Sequence, residues 1–173
     1  DKDQWLADLE AGRKPRRAPT AVFHQGACSN TMEWDGKYMM DNNYRYSKVL
    51  LHYCLAERIP FFYASSASVY GAGPGFSEEP AHERPINVYG YSKFLFDGYV
   101  RRILPEAHSP VAGLRYFNVY GPRQSLSNPY AGVAAIWLSR LLNDKPPVVF
   151  EDGGQVRDFV LIHDVVDCLL VLL

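Results

Sequence analysis

The chain has 173 residues, of which 47% are hydrophobic and 21% charged, with a formal net charge of −1. This length is enough for one domain with its own core, or for parts of two. The balanced charge excludes a field that gathers nucleic acid or anionic lipid, and no apolar run is long enough to cross a membrane. We therefore expect neither nucleic acid nor membrane as a partner, and we interpret the basic run at 13–17 as a solvated loop.

Cysteine and histidine spacing predicts neither a disulfide framework nor a metal site. The three cysteines, Cys28, Cys54 and Cys168, lie far apart and form no C-x-x-C pair. The five histidines lack the spacing of metal ligands. Reduced cysteines favour a cytoplasmic location.

Helix and strand patterns alternate along the chain. We predict an amphipathic helix at 3–12, a buried strand at 20–24 ("TAVFH"), a long helix from about Asp35 to Arg58, and a second buried strand at 60–66. A Gly/Pro-rich loop at 71–85 precedes a helix that ends near Leu104, and a third strand follows at 111–117. Strands separated by long helices require crossover connections, which predicts a parallel sheet covered on both faces.

Small and polar residues follow each of the three predicted strands, in "HQGACS", "SSASVYG" and "NVYGPR". In parallel sheets of this kind, ligands bind at the carboxyl ends of the strands. Small side chains there allow a ligand to approach the backbone closely. These three segments are therefore the candidate ligand site.

The stretch "VYGYSK" places Tyr89 four residues before Lys93. Residues four apart on a helix lie on one face, about 5 to 6 Å apart, so the lysine is expected beside the phenol and Tyr91 is expected to point elsewhere. A nearby cation favours phenolate, which predicts a lowered pKa for Tyr89 and a role in proton transfer. The same spacing also occurs on ordinary amphipathic helices.

The segments "SSASVYG" at 65–71, "YGYSK" at 89–93 and "RYFNVYGPR" at 115–123 occur in one order, and together they resemble the extended short-chain dehydrogenase/reductase family of nucleotide-sugar epimerases and dehydratases. Residues 21–123, above all "HQGACSNTMEWDGKYMMDNNYRYSK" at 24–48, are most similar to the ADP-glyceromanno-heptose 6-epimerases. The stretch after Arg123 is more similar to sugar-nucleotide 4-epimerases. The resemblance implies an α/β, Rossmann-like, doubly wound parallel sheet that binds NADP or NAD.

The resemblance also implies roles for individual residues. Tyr89 would be the general base and acid, Lys93 would lower its pKa and bind the nicotinamide ribose, and Ser66 would orient the reacting hydroxyl or carbonyl. The implied cofactor-lining residues are Gln25, Gly26, Ala27, Cys28, Ser29, Asn42, Tyr89, Lys93 and Val119. The implied substrate contacts are Ser66, Asn118, Asn128, Phe150, Glu151 and Arg157, of which the arginine suits a diphosphate.

Two features depart from the family pattern. The glycine-rich turn that binds a dinucleotide's pyrophosphate is missing, and the only candidate, "GAGPG" at 71–75, precedes no helix pattern and is interpreted as a loop. Ser127 stands where the heptose epimerases carry a second catalytic lysine. We therefore expect a fragment that lacks its first strands, has only the start of a small substrate lobe, and is inactive alone.

The predicted organisation is a partial NAD(P)-binding domain at 1–123 and a partial substrate-binding region at 124–173 that returns to the core. The predicted activity is epimerisation of a nucleotide-diphosphate sugar by transient oxidation, in a homo-oligomer. Two alternatives stay open: a 4-epimerase or dehydratase that uses the same Tyr-Lys pair, and a non-catalytic binding protein with a reductase fold. A dehydratase usually adds an acidic pair near the serine, where this chain has Ala67 and Ser68.

Overall fold

The structure, a computed structural model, describes residues 1–73, 77–125, 132–149 and 152–173. The chain divides into two compact units, Asp1–Arg115 and Tyr116–Leu173, and each is described by itself. No helix of the described residues is long and apolar enough to cross a membrane.

The first unit contains a three-stranded sheet and the helices that connect its strands. In chain order its elements are α1 (Lys2–Glu10), β1 (Val22–His24), α2 (Gly36–Met39), a π-helical segment (Met40–Arg45), α3 (Tyr46–Ala56), β2 (Phe61–Ser66), two short 3-10 turns (Ala67–Val69 and Pro80–His82), α4 (Val88–Ile103), a third 3-10 turn (Leu104–Glu106) and β3 (Val111–Tyr116).

The strands lie in the order β1-β2-β3, and β1 runs parallel to β2 with Val22 opposite Phe61 and His24 opposite Tyr63. The predicted alternation of strands and helices and the predicted α/β class with a parallel sheet are therefore confirmed. A parallel strand is normally covered on both faces and is apolar throughout. In β2, Phe61 and Phe62 are accordingly almost fully buried.

The core of this unit lies where α3 and α4 pack on β2. It is built from large apolar side chains, among them Leu50, Leu51, Cys54, Phe61, Tyr63, Phe96 and Val100. Tyr63 and Phe96 meet edge to face, with ring centroids 4.8 Å apart. This packing fixes α4 against the carboxyl end of β2, which is the end that carries Ser66.

The long helix predicted from about Asp35 to Arg58 is present but not regular. The π-helical segment Met40–Arg45 interrupts it, and α3 ends at Ala56. π-Helical turns insert a residue into the helix and often occur at functional sites. Here the widened turn contains Asn42 and Asn43.

The second unit contains β4 (Asn118–Tyr120), α5 (Val133–Leu141), β5 (Phe159–Leu161) and α6 (Ile162–Val171). The two strands are parallel, with Asn118 opposite Phe159 and Tyr120 opposite Leu161. The predicted site segment "NVYGPR" thus begins as a strand rather than as a loop, because β5 supplies backbone partners from far along the chain. Part of the predicted loop "GAGPG" lies outside the described residues.

Candidate active site

The first two turns of α4 carry Tyr89 and Lys93, and the start of the helix is capped by Asn87. The Asn87 side chain accepts a hydrogen bond from the backbone N–H of Gly90 at 2.7 Å, which satisfies a donor that the helix itself leaves unpaired. Lys93 is 4% exposed, whereas Tyr91 is 47% exposed. As predicted, Tyr91 points away from the buried lysine.

A glycine lets α4 approach the chain segment that follows β2. A Cβ atom at Gly90 would lie 2.6 Å from the backbone oxygen of Ser68, closer than atoms pack. The hydroxyl of Ser66, at the end of β2, accepts a hydrogen bond from the Ser68 N–H at 3.1 Å. Close contact at Gly90 therefore brings Tyr89 towards Ser66.

The pKa of Tyr89 is raised, and burial is the main cause. Its hydrogen bond with the Ser66 side chain acts in the opposite direction, and the nearby Cys28 adds to the rise. The sequence-based expectation that Lys93 sets a lowered pKa is therefore wrong for this structure, because desolvation of the phenol outweighs the other influences. Ser66 and Tyr89 are nevertheless brought together as predicted.

Lys93 is held by the backbone of β2. Its Nζ atom donates a hydrogen bond to the Ala64 carbonyl oxygen at 2.8 Å. Burial lowers the pKa of Lys93 to about 8, and the negative charge of Asp97 opposes that fall. Because an ammonium has three N–H donors, donors remain for a ligand once Ala64 has taken one.

Five of the eight predicted cofactor-lining residues of the first unit line one cleft of about 420 Å³ beside β1, whereas Ser29, Tyr89 and Lys93 do not. It is lined by Gln25, Gly26, Ala27, Cys28 and Asn42, together with residues of α1, β1, α2 and α3. Asn42 is engaged in the chain itself, since it accepts from Lys2 Nζ at 2.8 Å and donates to the Tyr38 carbonyl at 2.8 Å. Tyr89, Lys93 and Ser66 do not line this cleft, but Cys28, which does, lies near enough to influence Tyr89.

Sequence reasoning missed Asn43, which links the cleft to α4. Its amide oxygen accepts from the Cys28 N–H at 2.8 Å, and its amide nitrogen donates to the Cys28 carbonyl at 3.0 Å and to Ser92 Oγ at 3.0 Å. Ser92 in turn donates to the Tyr89 carbonyl at 2.6 Å. The pairing joins positions 28, 43 and 92, so only the repeated asparagines of "DNNY" hinted at it in the sequence.

His24 was also missed, since its pattern is that of any buried residue in a strand. It is 7% exposed, and its Nε2 atom lies 2.7 Å from Ser47 Oγ. Ser47 donates its own proton to the Asn43 carbonyl at 2.6 Å, so Nε2 of His24 is the donor to Ser47. Burial, and then the charge of Lys93, lower the pKa of His24 to about 4, and the ring is neutral at pH 7.

Of the predicted site residues in the second unit, three belong to the described residues. Asn118 opens β4 and donates from its side chain to the Asp158 carbonyl at 2.8 Å, Val119 is paired with Val160, and the exposed Arg157 directly precedes Asp158. Asn118 and Arg157 therefore lie at the same end of the β4–β5 ladder. Asn128, Phe150, Glu151 and Ser127 lie outside the described residues.

A parallel sheet with a serine at the end of one strand, and a Tyr-x-x-x-Lys helix packed against that strand, defines a Rossmann-like protein of the extended short-chain dehydrogenase/reductase class. The chain belongs to the NAD dependent epimerase/dehydratase family, whose sequence profile matches residues 6–173.

Solved structures agree with this assignment. The chain is 34% identical to ADP-L-glycero-D-manno-heptose-6-epimerase from Helicobacter pylori, with a TM-score of 0.82, and the match covers 99% of this chain and 54% of that one. It is 28% identical to UDP-N-acetylglucosamine 4-epimerase from Methanobrevibacter ruminantium, solved with UDP-N-acetylmuramic acid, with a TM-score of 0.84 and coverage of 96% and 55%. UDP-glucose 4-epimerase from Thermus thermophilus, solved with NAD, is 29% identical, with a TM-score of 0.77 and coverage of 99% and 57%. The chain thus spans about half the length of these proteins.

Proposed function

We propose that this chain is the part of a nucleotide-sugar epimerase that carries its acid-base residues, and that its substrate is an ADP-activated heptose. The observation that carries the reaction type is the convergence of Ser66, Tyr89 and Lys93 at the carboxyl end of β2. The 34% identity to a heptose 6-epimerase supports the sugar. In this proposal residues 1–123 bind the cofactor, residues 124–173 belong to the substrate side, and the enzyme works as a cytoplasmic homo-oligomer.

The donor set of the first unit suits NAD or NADP. The buried Lys93 ammonium has N–H donors for ribose hydroxyls, and the small residues Gly26 and Ala27 let a nucleotide approach the cleft beside β1. Gln25, Cys28, Ser29 and Asn42 complete the proposed contacts of this unit, and Val119 is a cofactor contact on the family resemblance alone. Oxidised nicotinamide, when bound, accepts a hydride from the sugar carbon and brings a positive charge.

Tyr89 moves the proton in this mechanism. Its raised pKa keeps the phenol protonated in the structure described here, which is the form that donates to a carbonyl oxygen. To take a proton from a hydroxyl it needs positive charge nearby, and Lys93 is the cation of its own helix. Ser66 Oγ holds the reacting oxygen, and the flattened carbonyl carbon of the sugar then receives hydride on its other face.

The substrate contacts proposed for the second unit are Asn118 and Arg157, whose guanidinium matches paired phosphate oxygens. Asn128, Phe150 and Glu151 complete the proposed set. With Ser127 in place of a second lysine, Tyr89 is the one tunable base of the proposal. We therefore infer that the intermediate rotates to present both faces to Tyr89.

The test uses the protein that carries this chain. Tyr89→Phe is expected to lower turnover by roughly 10² to 10⁴ fold, the usual worth of a positioned acid/base, with little loss of stability. Tyr91→Phe is the matched control, since Tyr91 lies two residues away and is exposed. Product formation is followed for ADP-heptose, UDP-glucose and UDP-N-acetylglucosamine, and near-normal turnover of Tyr89→Phe would overturn the proposed reaction.

A 4-epimerase is the second candidate, because the fold superposes on a UDP-N-acetylglucosamine 4-epimerase with a TM-score of 0.84. The same substrate panel separates the two. A kcat/KM higher for a UDP-sugar than for ADP-heptose would replace the heptose with that sugar and leave the role of Tyr89 unchanged.

A further inference from the structure

Asp97 lies on α4, four residues after Lys93 and eight after Tyr89, so the three side chains follow one face of the helix. It is 5% exposed, and its carboxylate accepts three hydrogen bonds: from Tyr63 Oη at 3.0 Å, from Ser65 Oγ at 2.8 Å and from Arg115 Nε at 3.2 Å. The three donors compensate this carboxylate for the water that it loses on burial. No step of the mechanism proposed above uses it.

Each of the last four residues of β2 forms a hydrogen bond with one of these three side chains of α4. Tyr63 and Ser65 donate to Asp97, the carbonyl of Ala64 between them accepts from Lys93, and Ser66 bonds Tyr89. Four consecutive strand residues therefore fix the carboxylate, the ammonium and the phenol in one line. The lysine is held between a backbone dipole and a buried negative charge.

We propose that Asp97 is a positioning residue that keeps the buried Lys93 amine protonated beside Tyr89. The relevance to catalysis rests on the proposed function, while the electrostatic claim concerns only the chain itself. A neutral Lys93 would not favour a phenolate at Tyr89, and it would have one N–H donor fewer for a nucleotide ribose.

The charges around Lys93 determine the direction in which each substitution is expected to shift the pKa of Lys93. Burial drives the lysine towards its neutral form, Asp97 counteracts this, and the balance of the two leaves the pKa of Lys93 at about 8. Arg115 partly neutralises Asp97 and itself pairs with the buried Glu83, which Arg101 also binds through two 2.7 Å hydrogen bonds. The titratable and charged groups around Lys93 and Asp97 are His24 on β1, Cys28 after it, Tyr63 on β2, Glu83 before α4, Tyr89 and Arg101 on α4, and Arg115 on β3.

The test is a titration of Lys93 in the 173-residue chain, followed by NMR of its ¹³Cε nucleus from about pH 6 to about pH 11, a range that spans buried and free lysines. Asp97→Asn keeps the shape of the side chain and removes its charge, and it is expected to move the Lys93 midpoint down by about one pH unit or more. Asp97→Glu is expected to restore most of the shift, and Ser65→Ala, which leaves the charge in place, to stay close to the original chain.

The variant Arg115→Gln distinguishes an electrostatic role of Asp97 from a purely structural role of Asp97. Removing this cation frees the charge of Asp97 to act on Lys93, so the midpoint is expected to rise, opposite to Asp97→Asn. General loosening of the site moves the midpoint in one direction for both variants. An unchanged midpoint in folded Asp97→Asn overturns the proposal, and if that variant fails to fold, the absence of a rise in Arg115→Gln overturns it.

This readout uses neither cofactor nor substrate, so its failure is distinct from failure of the proposed function. In the protein that carries the chain, Asp97→Asn is expected to move the alkaline limb of kcat/KM to lower pH, whereas Tyr89→Phe lowers the rate at every pH. If the alkaline limb of kcat/KM keeps its pH although the Lys93 midpoint moves, the ionisation of Lys93 does not limit the reaction.

Discussion

One physical cause, burial, shifts the pKa values of both Tyr89 and Lys93, and it shifts them in opposite directions. Burial raises the pKa of the phenol and lowers that of the amine, so each group alone is driven towards its neutral form. A phenolate and an ammonium side by side stabilise each other, because each charge offsets the desolvation of the other. The pair is therefore easier to charge together than singly, which is the electrostatic basis of the proposed proton transfer.

The three cysteines are expected to react with alkylating reagents in an order set by burial. Cys54 is fully buried in the core, and desolvation raises its pKa to about 12, so it carries almost no thiolate at pH 8. Cys168 is exposed and Cys28 half-buried. We expect iodoacetamide at pH 8 to modify Cys168 first, Cys28 more slowly, and Cys54 only in denaturant, as measured by peptide mass spectrometry. Rapid modification of Cys54 in the native chain would contradict the core packing of α3.

The close approach of α4 to the chain segment after β2 depends on Gly90. Gly90→Ala places a methyl group against the Ser68 backbone, and we expect it to lower the free energy of unfolding by roughly 1 to 3 kcal/mol, the usual cost of overpacking. Gly98→Ala on the same helix is the control. There the nearest atom is the Arg101 guanidinium at 3.8 Å, so alanine is expected to stabilise by about 0.5 to 1 kcal/mol. Urea unfolding measures both, and equal effects would exclude a special contact at Gly90.

The π-helical segment is expected to fix the segment after β1 through Asn43. Asn43→Ala leaves the N–H and carbonyl of Cys28 without their side-chain partners, and an unpaired buried group costs about 1 to 3 kcal/mol. Asn42→Ala removes only exposed hydrogen bonds and is the matched control. Hydrogen exchange at the Cys28 amide should accelerate strongly in Asn43→Ala and little in Asn42→Ala. Unchanged protection in Asn43→Ala would mean that this tether does not hold the segment.

The elements that the sequence predicted well are those whose signal is local. The strand at 60–66 and the helix carrying Tyr89 are continuous patterns of apolar residues, and both were located within two residues. The π-helical segment was not foreseen, because its polar asparagines still fit a helical period. The pairing of β4 with β5 was missed since both strands have three residues and the paired residues, such as Asn118 and Phe159, are 41 positions apart.

In the candidate site, too, the features with a local sequence signal were predicted, and those that depend on contacts distant in sequence were not. The order of "SSASVYG" and "YGYSK" was enough to predict that α4 packs at the end of β2 with Tyr89 beside Ser66. The direction of the Tyr89 pKa shift was not predictable, since it depends on burial in the folded chain. Asp97, Asn43 and His24 acquire their importance only from contacts distant in sequence, such as Tyr63 with Asp97.

The stability of the folded chain depends on pH through His24, which is buried and neutral at pH 7. The pKa of His24 is about 4 in the folded chain and about 6.5 when unfolded, so between these values the unfolded state binds more protons. Stability from this group is fully present above pH 6.5 and is lost as the pH falls towards 4. Linkage gives a loss of about 2 kcal/mol between pH 7 and pH 5.

His24→Gln isolates that contribution, because the glutamine amide can still donate to Ser47 but does not titrate. We expect the original chain to lose about 2 kcal/mol more than His24→Gln between pH 7 and pH 5, as measured by urea unfolding at both values. The carboxylates titrate in both proteins, so their effect cancels in the difference. His108→Gln, at an exposed position, should keep the pH dependence of the original chain. If His24→Gln and the original chain lose the same stability, His24 is protonated without cost, and the neutral hydrogen-bonded ring that joins β1 to Ser47 is excluded.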